Sequence, residues 1–154
     1  MKIFLRNLKH SDTDILLETE NDETLWDYSI QDKPFSKTTI KNYIKNASVQ
    51  SIIEAKQKRF VISSSKVLVI GFIDLFDYDL IKGEAHIGIV VLKNYRSKGI
   101  GYDSIQLLES YCIGHLKLEK LFASIDSNNL KSIKLFIKSG YTKKHNDLYE
   151  KNIK

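Results

Sequence analysis

The sequence predicts a mixed α/β fold, on three observations. The chain has 154 residues, about the length of one ordinary domain. Hydrophobic residues make up 42% and charged residues 28%, which leaves enough apolar material for a core. Short apolar runs typical of strands alternate with segments of helical periodicity. We therefore expect one domain over residues 1–154, with its elements in the order β-α-α-β-β-β-α-β-α-β-β.

Residues 1–50 are predicted to form a strand followed by two helices. Ser11 precedes a helix-like stretch with acidic residues in its first turn, where the helix dipole favours them. Ser36 is a candidate N-cap for a second helix, whose apolar residues recur on one face. The predicted elements are a strand at 2–6, a helix at 12–20, an irregular segment at 21–35 and a helix at 37–50.

The middle of the chain is predicted to form three strands. Residues 59–63 and 67–76 are rich in β-branched and aromatic residues and flank a turn-like Ser-Ser-Ser-Lys. Residues 77–83 form the next turn. Residues 85–92 are almost continuously apolar, as expected of a central strand that is covered on both faces.

The C-terminal third is predicted to alternate between helices and strands. Gly140 follows the second of these helices and is expected to be its C′ residue. Asn146-Asp147 is a candidate turn for a closing hairpin. The predicted elements are helices at 101–116 and 130–139 and strands at 121–125, 141–144 and 148–153.

Charge and cysteine content exclude several classes of protein. Residues 113–154 carry nine lysines against four acids, which is the whole net charge of +5, while residues 11–32 hold eight acids and no Lys or Arg. Cys112 is the only cysteine, so we expect no disulfide, no cysteine-based zinc site and no metal. Basic residues do not interleave with aromatics, and no apolar run of 18 residues occurs. We therefore expect no nucleic-acid partner, no membrane span, no signal peptide and a cytoplasmic location.

A loop with two glycines joins the predicted central strand to the next helix, Arg96-Ser-Lys-Gly99-Ile-Gly101. Amide N–H groups at a helix N-terminus lack internal acceptors and bind anions. Glycine lets the backbone approach a ligand and adopt positive φ, and Arg96 and Lys98 add positive charge. The loop lacks both the P-loop and the dinucleotide pattern. It predicts an anion-binding cradle.

Two segments carry a family resemblance. Arg96-x-x-Gly99-x-Gly101 resembles the [Gln/Arg]-x-x-Gly-x-[Gly/Ala] signature of the GNAT superfamily of acetyl-CoA-dependent N-acetyltransferases. The segment from Asn129 to Tyr141 resembles the family's Asn-x-x-[Ala/Ser]-x-x-Leu-Tyr-x-x-x-Gly-[Phe/Tyr]. The spermidine/diamine and ribosomal-protein acetyltransferase branches are the most similar. The resemblance implies one N-acetyltransferase domain over 1–154, with a mostly antiparallel sheet of six to seven strands, splayed central strands and about four helices.

The resemblance implies where acetyl-CoA would bind. Its pyrophosphate would lie on the loop amides, and its pantetheine arm would enter a gap between strands 85–92 and 121–126. Asn129 would bond the pantetheine side, and the amide around Val90 would polarise the acetyl carbonyl. The implied cofactor-binding residues are Ile89, Val90, Val91, Arg96, Ser97, Lys98, Gly99, Ile100, Gly101, Tyr102, Asn129, Ser132 and Lys138.

Aminolysis of the thioester needs a base, because an alkyl ammonium with a pKa of roughly 10 arrives protonated. The resemblance places His86 at the position of the base, and Glu84 lies two residues earlier on the same face. Glu84 and His86 are thus the candidate catalytic pair, and a structural histidine in a covered strand is the alternative. Phe136 stands where the family commonly has a tyrosine acid. Three explanations for the missing acid stay open. A nearby tyrosine (Tyr102, Tyr141 or Tyr149) replaces it, solvent protonates the thiolate, or activity is weak.

In this family the acceptor pocket is built largely by the first two helices and their linker. Here that region combines carboxylates with aromatic rings, which suits a cationic amine such as a polyamine. An amino-sugar nucleotide, a protein N-terminus and a non-catalytic acyl-CoA-binding module stay open as alternatives, as does a homodimer. The candidate substrate-binding residues are Trp26, Asp27, Tyr28, Asp32, Asp74 and Asp77.

Overall fold

The computed structural model describes residues 1–22 and 34–154, which build one seven-stranded sheet. The strand order is β1-β2-β3-β4-β5-β7-β6, and every neighbouring pair is antiparallel except β4 and β5. The strands are β1 (Ile3–Asn7), β2 (Lys58–Ser64), β3 (Gly71–Asp79), β4 (Glu84–Val91), β5 (Lys120–Ser124), β6 (Thr142–His145) and β7 (Leu148–Asn152). The helices are α1 (Thr13–Glu20), α2 (Lys37–Val49), α3 (Ile52–Ala55), α4 (Ile100–His115) and α5 (Leu130–Lys138).

This architecture confirms the predicted fold class, and the main differences from the predicted elements lie at both ends of β3 and at α3. β3 continues to Asp79, through part of the segment 77–83 that was predicted to be a turn. β3 begins at Gly71 instead of residue 67, because the residues before it belong to a turn in which the amide of Ser64 donates to the carbonyl of Val67 (2.9 Å). The short helix α3 was not predicted; Ser51 caps it by accepting from the amide of Glu54 (3.2 Å). Four residues are too few to leave a periodic pattern.

Each face of the sheet packs against different helices. One face buries apolar side chains against α4 and α5, including Ile73, Ala85 and Ile105. The other face packs against α1 and α2 through Leu16, Ile40, Ile44, Val61 and Phe72. Side chains alternate between faces along a strand. The even-numbered residues of β4 therefore lie on the same face as α1 and α2.

β4 and β5 diverge halfway along their length. They pair only where Glu84–His86 meets Lys120–Phe122, after which β4 continues beside β3 and β5 continues beside β7. This confirms the predicted splay. The amide of Leu92 donates to Ile70 on the β3 side (2.9 Å), so the odd-numbered residues of β4 point their amides toward β5. Ile89 and Val91, and not Val90, thus direct their backbone groups into the gap.

No helix within residues 1–22 and 34–154 is long and apolar enough to cross a bilayer.

Candidate active site

The loop between β4 and α4 presents unpaired amides at the N-terminus of α4. Ser97 (φ +62°) and Gly99 (φ +79°) both adopt left-handed conformations, and Gly99 is the N-cap of the helix. The first helical amide with a carbonyl acceptor belongs to Asp103, which donates to Gly99 (3.2 Å). The amides from Ser97 to Tyr102 find no acceptor in the described part of the chain. This is the geometry of an anion cradle.

The two glycines of the loop serve different purposes. A Cβ on Gly99 would meet nothing within 4 Å, so its positive φ is the reason for glycine there. A Cβ on Gly101 would lie 2.9 Å from Cδ2 of Leu135, so Gly101 makes room for α5. The sequence pattern suggested close approach to a ligand for both, and the structure instead assigns Gly101 to the packing of α5 on α4.

Positive side chains surround the cradle from two elements. Arg96 is exposed, and its Nε donates to the carbonyl oxygen of Val91 (2.7 Å), which ties the loop to the end of β4. Lys138 of α5 places its Nζ 5.2 Å from the centre of the Tyr102 ring in the first turn of α4. Lys98 is exposed on the loop itself. These cations lie where a ligand with several negative charges would be attracted.

Asn129 and Ser132 act together at the start of α5. The side-chain oxygen of Asn129 accepts from the amide of Ser132 (3.3 Å), which makes Asn129 the N-cap of that helix. The amide nitrogen of the Asn129 side chain remains able to donate to a ligand. The helix ends at Gly140 (φ +97°), as predicted, where the amide of Tyr141 donates to the carbonyl of Phe136 (2.9 Å).

His86 lies between two aromatic rings at the point where the gap opens. The ring centres of Phe76 on β3 and Phe122 on β5 are each 5.4 Å from that of His86. The expected pairing with Glu84 is not observed, since no hydrogen bond joins Glu84 to His86 within the residues described. The two residues are separated by about 6.6 Å along the strand. Local spacing pointed to Glu84, while Phe76 and Phe122 come from strands that only the sheet register brings together.

Asp74 is already paired with a cation. Arg59 holds both of its carboxylate oxygens in a fork (Nε to Oδ1 2.7 Å, Nη2 to Oδ2 2.7 Å) and donates its other nitrogen to Glu20. The sequence suggested Asp74 as a contact for the amine of the acceptor. In the structure, its carboxylate is already paired with Arg59. The cluster borders a cavity of about 250 Å³, which is lined by Tyr43, Gln57, Lys58, Arg59, Asp74, Leu75 and Phe76.

The other predicted acceptor residues are divided between the surface and the undescribed segment. Asp77 is exposed at a bulge of β3 with φ +49°. Trp26, Asp27, Tyr28 and Asp32 lie outside the described residues.

Several acids of the 11–32 stretch are matched by basic residues from elsewhere in the chain. Asp12 pairs with Arg6 (2.8 Å), Asp14 with Lys37 (3.2 Å), and Glu20 with Arg59. The negative charge of the acid-rich stretch 11–32 is thus partly neutralised by folding.

The candidate proton donors differ in accessibility. Phe136 is buried, and its ring packs edge-on against Tyr141 at 5.0 Å. Tyr141 is also buried, and its hydroxyl donates to Oε2 of Glu109 (2.9 Å). Burial, together with the Glu109 carboxylate, raises the pKa of Tyr141 far above its usual value. Tyr149 is buried in the same core, whereas Tyr102 is half-buried at the cradle.

The described residues support neither a cysteine nucleophile nor a metal-binding cluster. Burial, with the nearby charge of Glu109, raises the pKa of the Cys112 thiol to about 12, so this thiol is a poor nucleophile. Residues 1–22 and 34–154 contain no group of three or more His, Cys, Asp or Glu side chains that could hold a metal ion.

The chain is similar to known acetyltransferases. A family model described as an acetyltransferase (GNAT) domain matches residues 2–142. The crystal structure of spermidine N-acetyltransferase from Vibrio cholerae in complex with CoA and spermine has a TM-score of 0.85 and 18% identity, covering 96% of this chain and 92% of that one. A dodecameric structure of spermidine N-acetyltransferase from the same organism has a TM-score of 0.78 and 18% identity, covering 96% and 91%. No curated protein sequence matches.

Proposed function

Because the chain belongs to the GNAT acetyltransferases and is an acetyl-CoA-dependent N-acetyltransferase, we propose that its acceptor is the primary amine of a small cationic molecule, such as a polyamine. The observation that carries the acetyl-CoA side of this reaction is the cradle of free amides from Ser97 to Tyr102 beside the open gap between β4 and β5. The structural relative from Vibrio cholerae that binds CoA and spermine supports the same class of acceptor.

We assign the cofactor to the cradle and the gap. The amides from Ser97 to Tyr102 would hold the pyrophosphate, and Lys98, Arg96 and Lys138 would balance its charge. The amides of Ile89 and Val91 and the carbonyl of Ile89 point into the gap and would bond the pantetheine arm, with Asn129 at its side, whereas the Val91 carbonyl already accepts from Arg96. Bound acetyl-CoA supplies a thioester, whose carbonyl carbon is the electrophile.

His86 would act as the base, directly or through a water. It takes one proton from the ammonium, and the freed amine nitrogen forms a bond to the thioester carbon. The carbon–sulfur bond then breaks, the nitrogen loses its second proton, and the sulfur leaves as a thiolate that takes up one proton. Overall, the ammonium and the thioester give an amide, a free thiol and one released proton. The amides of Ile89 and Val91 would stabilise negative charge on the carbonyl oxygen.

Solvent, in this proposal, protonates the thiolate. Phe136 cannot donate a proton, and Tyr141 and Tyr149 are buried in the core. Tyr102 lies at the cradle end of the site, beside Lys138. A thiol has a pKa of only about 8.5, so its thiolate leaves without an enzymatic acid at modest cost.

The acceptor would lie over the β3–β4 face, beside the cavity near Tyr43 and Phe76. Arg59 binds the carboxylates of both Asp74 and Glu20 at this cavity. Trp26, Asp27, Tyr28, Asp32 and Asp77 stay in the proposal as acceptor contacts on sequence grounds.

Release of CoA thiol in the presence of a panel of amines tests this function. We expect turnover with acetyl-CoA and α,ω-diamines or polyamines, and little with monoamines or anionic amines such as amino-sugar nucleotides. If acetyl-CoA binds but no amine is turned over, the chain is instead a non-catalytic acyl-CoA-binding module. Phe136, which stands where the family commonly has a tyrosine acid, makes this outcome worth testing. A failure to bind acetyl-CoA would contradict the assignment of the cradle.

We also propose an oligomeric state and a cellular location for the protein. The dodecameric relative supports self-association, with a homodimer as the smallest unit. The single, buried Cys112 thiol suits a reducing compartment, which supports a cytoplasmic location.

A further inference from the structure

Three rings form a row across the central strands on the face that carries α1 and α2. Phe76, His86 and Phe122 are opposite one another in the register of β3, β4 and β5. The His86 ring is tilted by 35° to Phe76 and by 32° to Phe122, with 5.4 Å between ring centres on each side. The imidazole thus occupies a slot between two aromatic side chains.

The two walls of this slot differ. Phe122 is only 8% exposed, and Lys144 and Lys120 lie against its ring at 5.3 Å and 5.9 Å. Both lysines are within 4 Å of Glu150 (3.7 Å and 3.6 Å), which keeps them over the ring. Phe76 is 36% exposed and borders the cavity of about 250 Å³. The slot therefore has a closed wall toward β5 and an open one toward the cavity.

The slot stands at the point where the gap begins. His86 is the last residue of β4 that pairs with β5, so a group held in the gap would lie next to its ring. Histidine bases are usually oriented by a hydrogen bond from one ring nitrogen to a carboxylate or carbonyl. Across residues 1–22 and 34–154, no protein acceptor or donor engages either nitrogen of His86.

We propose that Phe76 and Phe122 are positioning residues, whose rings confine the His86 imidazole from both sides in place of a hydrogen-bonded carboxylate. The inference rests on the proposed role of His86 as base. With the imidazole confined by aromatic rings and not by a hydrogen bond, both nitrogens stay available, one to take the proton of the amine and the other to pass it to solvent. Phe76 would also direct the acceptor, because the same ring lies beside His86 and lines the cavity near Asp74.

Kinetics of Phe76 variants in two backgrounds test the proposal. Phe76→Leu removes the ring but keeps an apolar side chain, and Phe76→Tyr keeps the ring with its hydroxyl in solvent. We expect His86→Ala to lower kcat by roughly 10²- to 10⁴-fold, the usual contribution of a general base. Phe76→Leu should lower kcat by roughly tenfold with an unchanged KM for acetyl-CoA, since small misplacement of a catalytic group is costly. Phe76→Tyr should restore kcat.

The double variant decides whether Phe76 acts through His86. In the His86→Ala background, Phe76→Leu should cause no further loss of kcat. An equal loss in both backgrounds would overturn the proposal, as would full activity of Phe76→Leu and Phe122→Leu when His86→Ala is inactive. Full activity of His86→Ala itself would refute the proposed base, which is a separate failure. Phe4→Leu, at an exposed aromatic residue of β1 (47% exposed), is the matched control and should match the parent in kcat.

Discussion

Substitution of Gly99 tests the cradle, because Gly114 on the same helix provides a matched control. A Cβ would meet nothing within 4 Å at either position, so neither substitution causes a clash. The two sites differ in backbone conformation. Gly99 has φ +79°, whereas Gly114 lies in the last turn of α4 and has no positive φ. A loss of stability in Gly99→Ala therefore reports the left-handed turn, and Gly114→Ala controls for adding a Cβ to this helix.

The expected effects on stability have opposite signs. An L-residue in the left-handed region costs about 1–2 kcal/mol, so Gly99→Ala should lower the free energy of unfolding by that amount. Alanine in place of a helical glycine stabilises by about 0.5–1 kcal/mol, so Gly114→Ala should raise it. For a chain of this length, each kcal/mol shifts Tm by about 2–4 °C. We thus expect Tm to fall by about 2–8 °C in Gly99→Ala and to rise by about 1–4 °C in Gly114→Ala.

Acetyl-CoA then separates the ligand site from general stability. At 100 times its Kd, a ligand stabilises the native state by about 2.7 kcal/mol, which corresponds to a Tm rise of roughly 5–11 °C. Gly114→Ala should keep this rise in full. If the altered turn weakens binding tenfold, the same concentration gives Gly99→Ala only about 1.4 kcal/mol, or roughly half the rise. Gly99→Asn, which tolerates positive φ, should recover part of it.

Thermal melts of the three variants and the parent chain, each with and without acetyl-CoA, provide the measurement. An acetyl-CoA shift in Gly99→Ala as large as that of the parent would refute the assignment of the pyrophosphate to this loop. An equal loss in Gly114→Ala would show that the shift reports helix stability and not the cradle.

Further predictions concern the buried polar groups. Arg59→Met leaves the Asp74 carboxylate without its fork and should lower the free energy of unfolding by about 3 kcal/mol in urea melts, with a smaller loss in Arg59→Lys. Burial alone would raise the pKa of Asp12, but hydrogen bonds from Arg6 and the amide of Lys9 more than offset it and hold the pKa below its usual value. That stabilisation is present above the unfolded pKa of about 3.9 and is lost as the pH falls through the folded value, so Asp12→Asn should flatten the fall in stability below pH 4 in acid titrations. Tyr141→Phe removes a donor to a buried carboxylate and should cost about 1–3 kcal/mol by chemical denaturation, without changing KM for acetyl-CoA.

The fold and the unpaired amides of the β4–α4 loop could be predicted because both depend on contiguous residues. Continuous apolar character predicts a strand such as 85–92, and a glycine at the start of a helix predicts the turn at Gly99. The hairpin at Asn146 and the helix end at Gly140 likewise follow from residues that favour positive φ, and both angles are observed. In each case the physical cause acts within a few residues of where it is visible.

The ion pairs of Arg59 and Arg6 could not be predicted from the sequence, because the fold brings their partners together. Arg59 is 15 positions from Asp74 and 39 from Glu20, and Arg6 reaches Asp12 only through the placement of β1 beside the first helical turn. From composition, residues 11–32 are a block of unopposed acid. In the fold, arginines from two strands neutralise part of that block. Charge segregation along a chain is therefore weak evidence for an acidic binding surface.

The same strand explains why one half of the site was predictable and the other was not. β4 supplies the backbone groups of the gap through its odd residues and His86 through its even ones, while its end leads directly into the cradle. The groups that we propose to contact the cofactor are largely backbone amides, which alternate in direction along a strand. Groups that surround His86 are side chains from β3 and β5, and their identity depends on register. A shift of one residue in either pairing would replace Phe76 or Phe122 and remove the slot, so the geometry of the proposed base depends on the sheet as a whole.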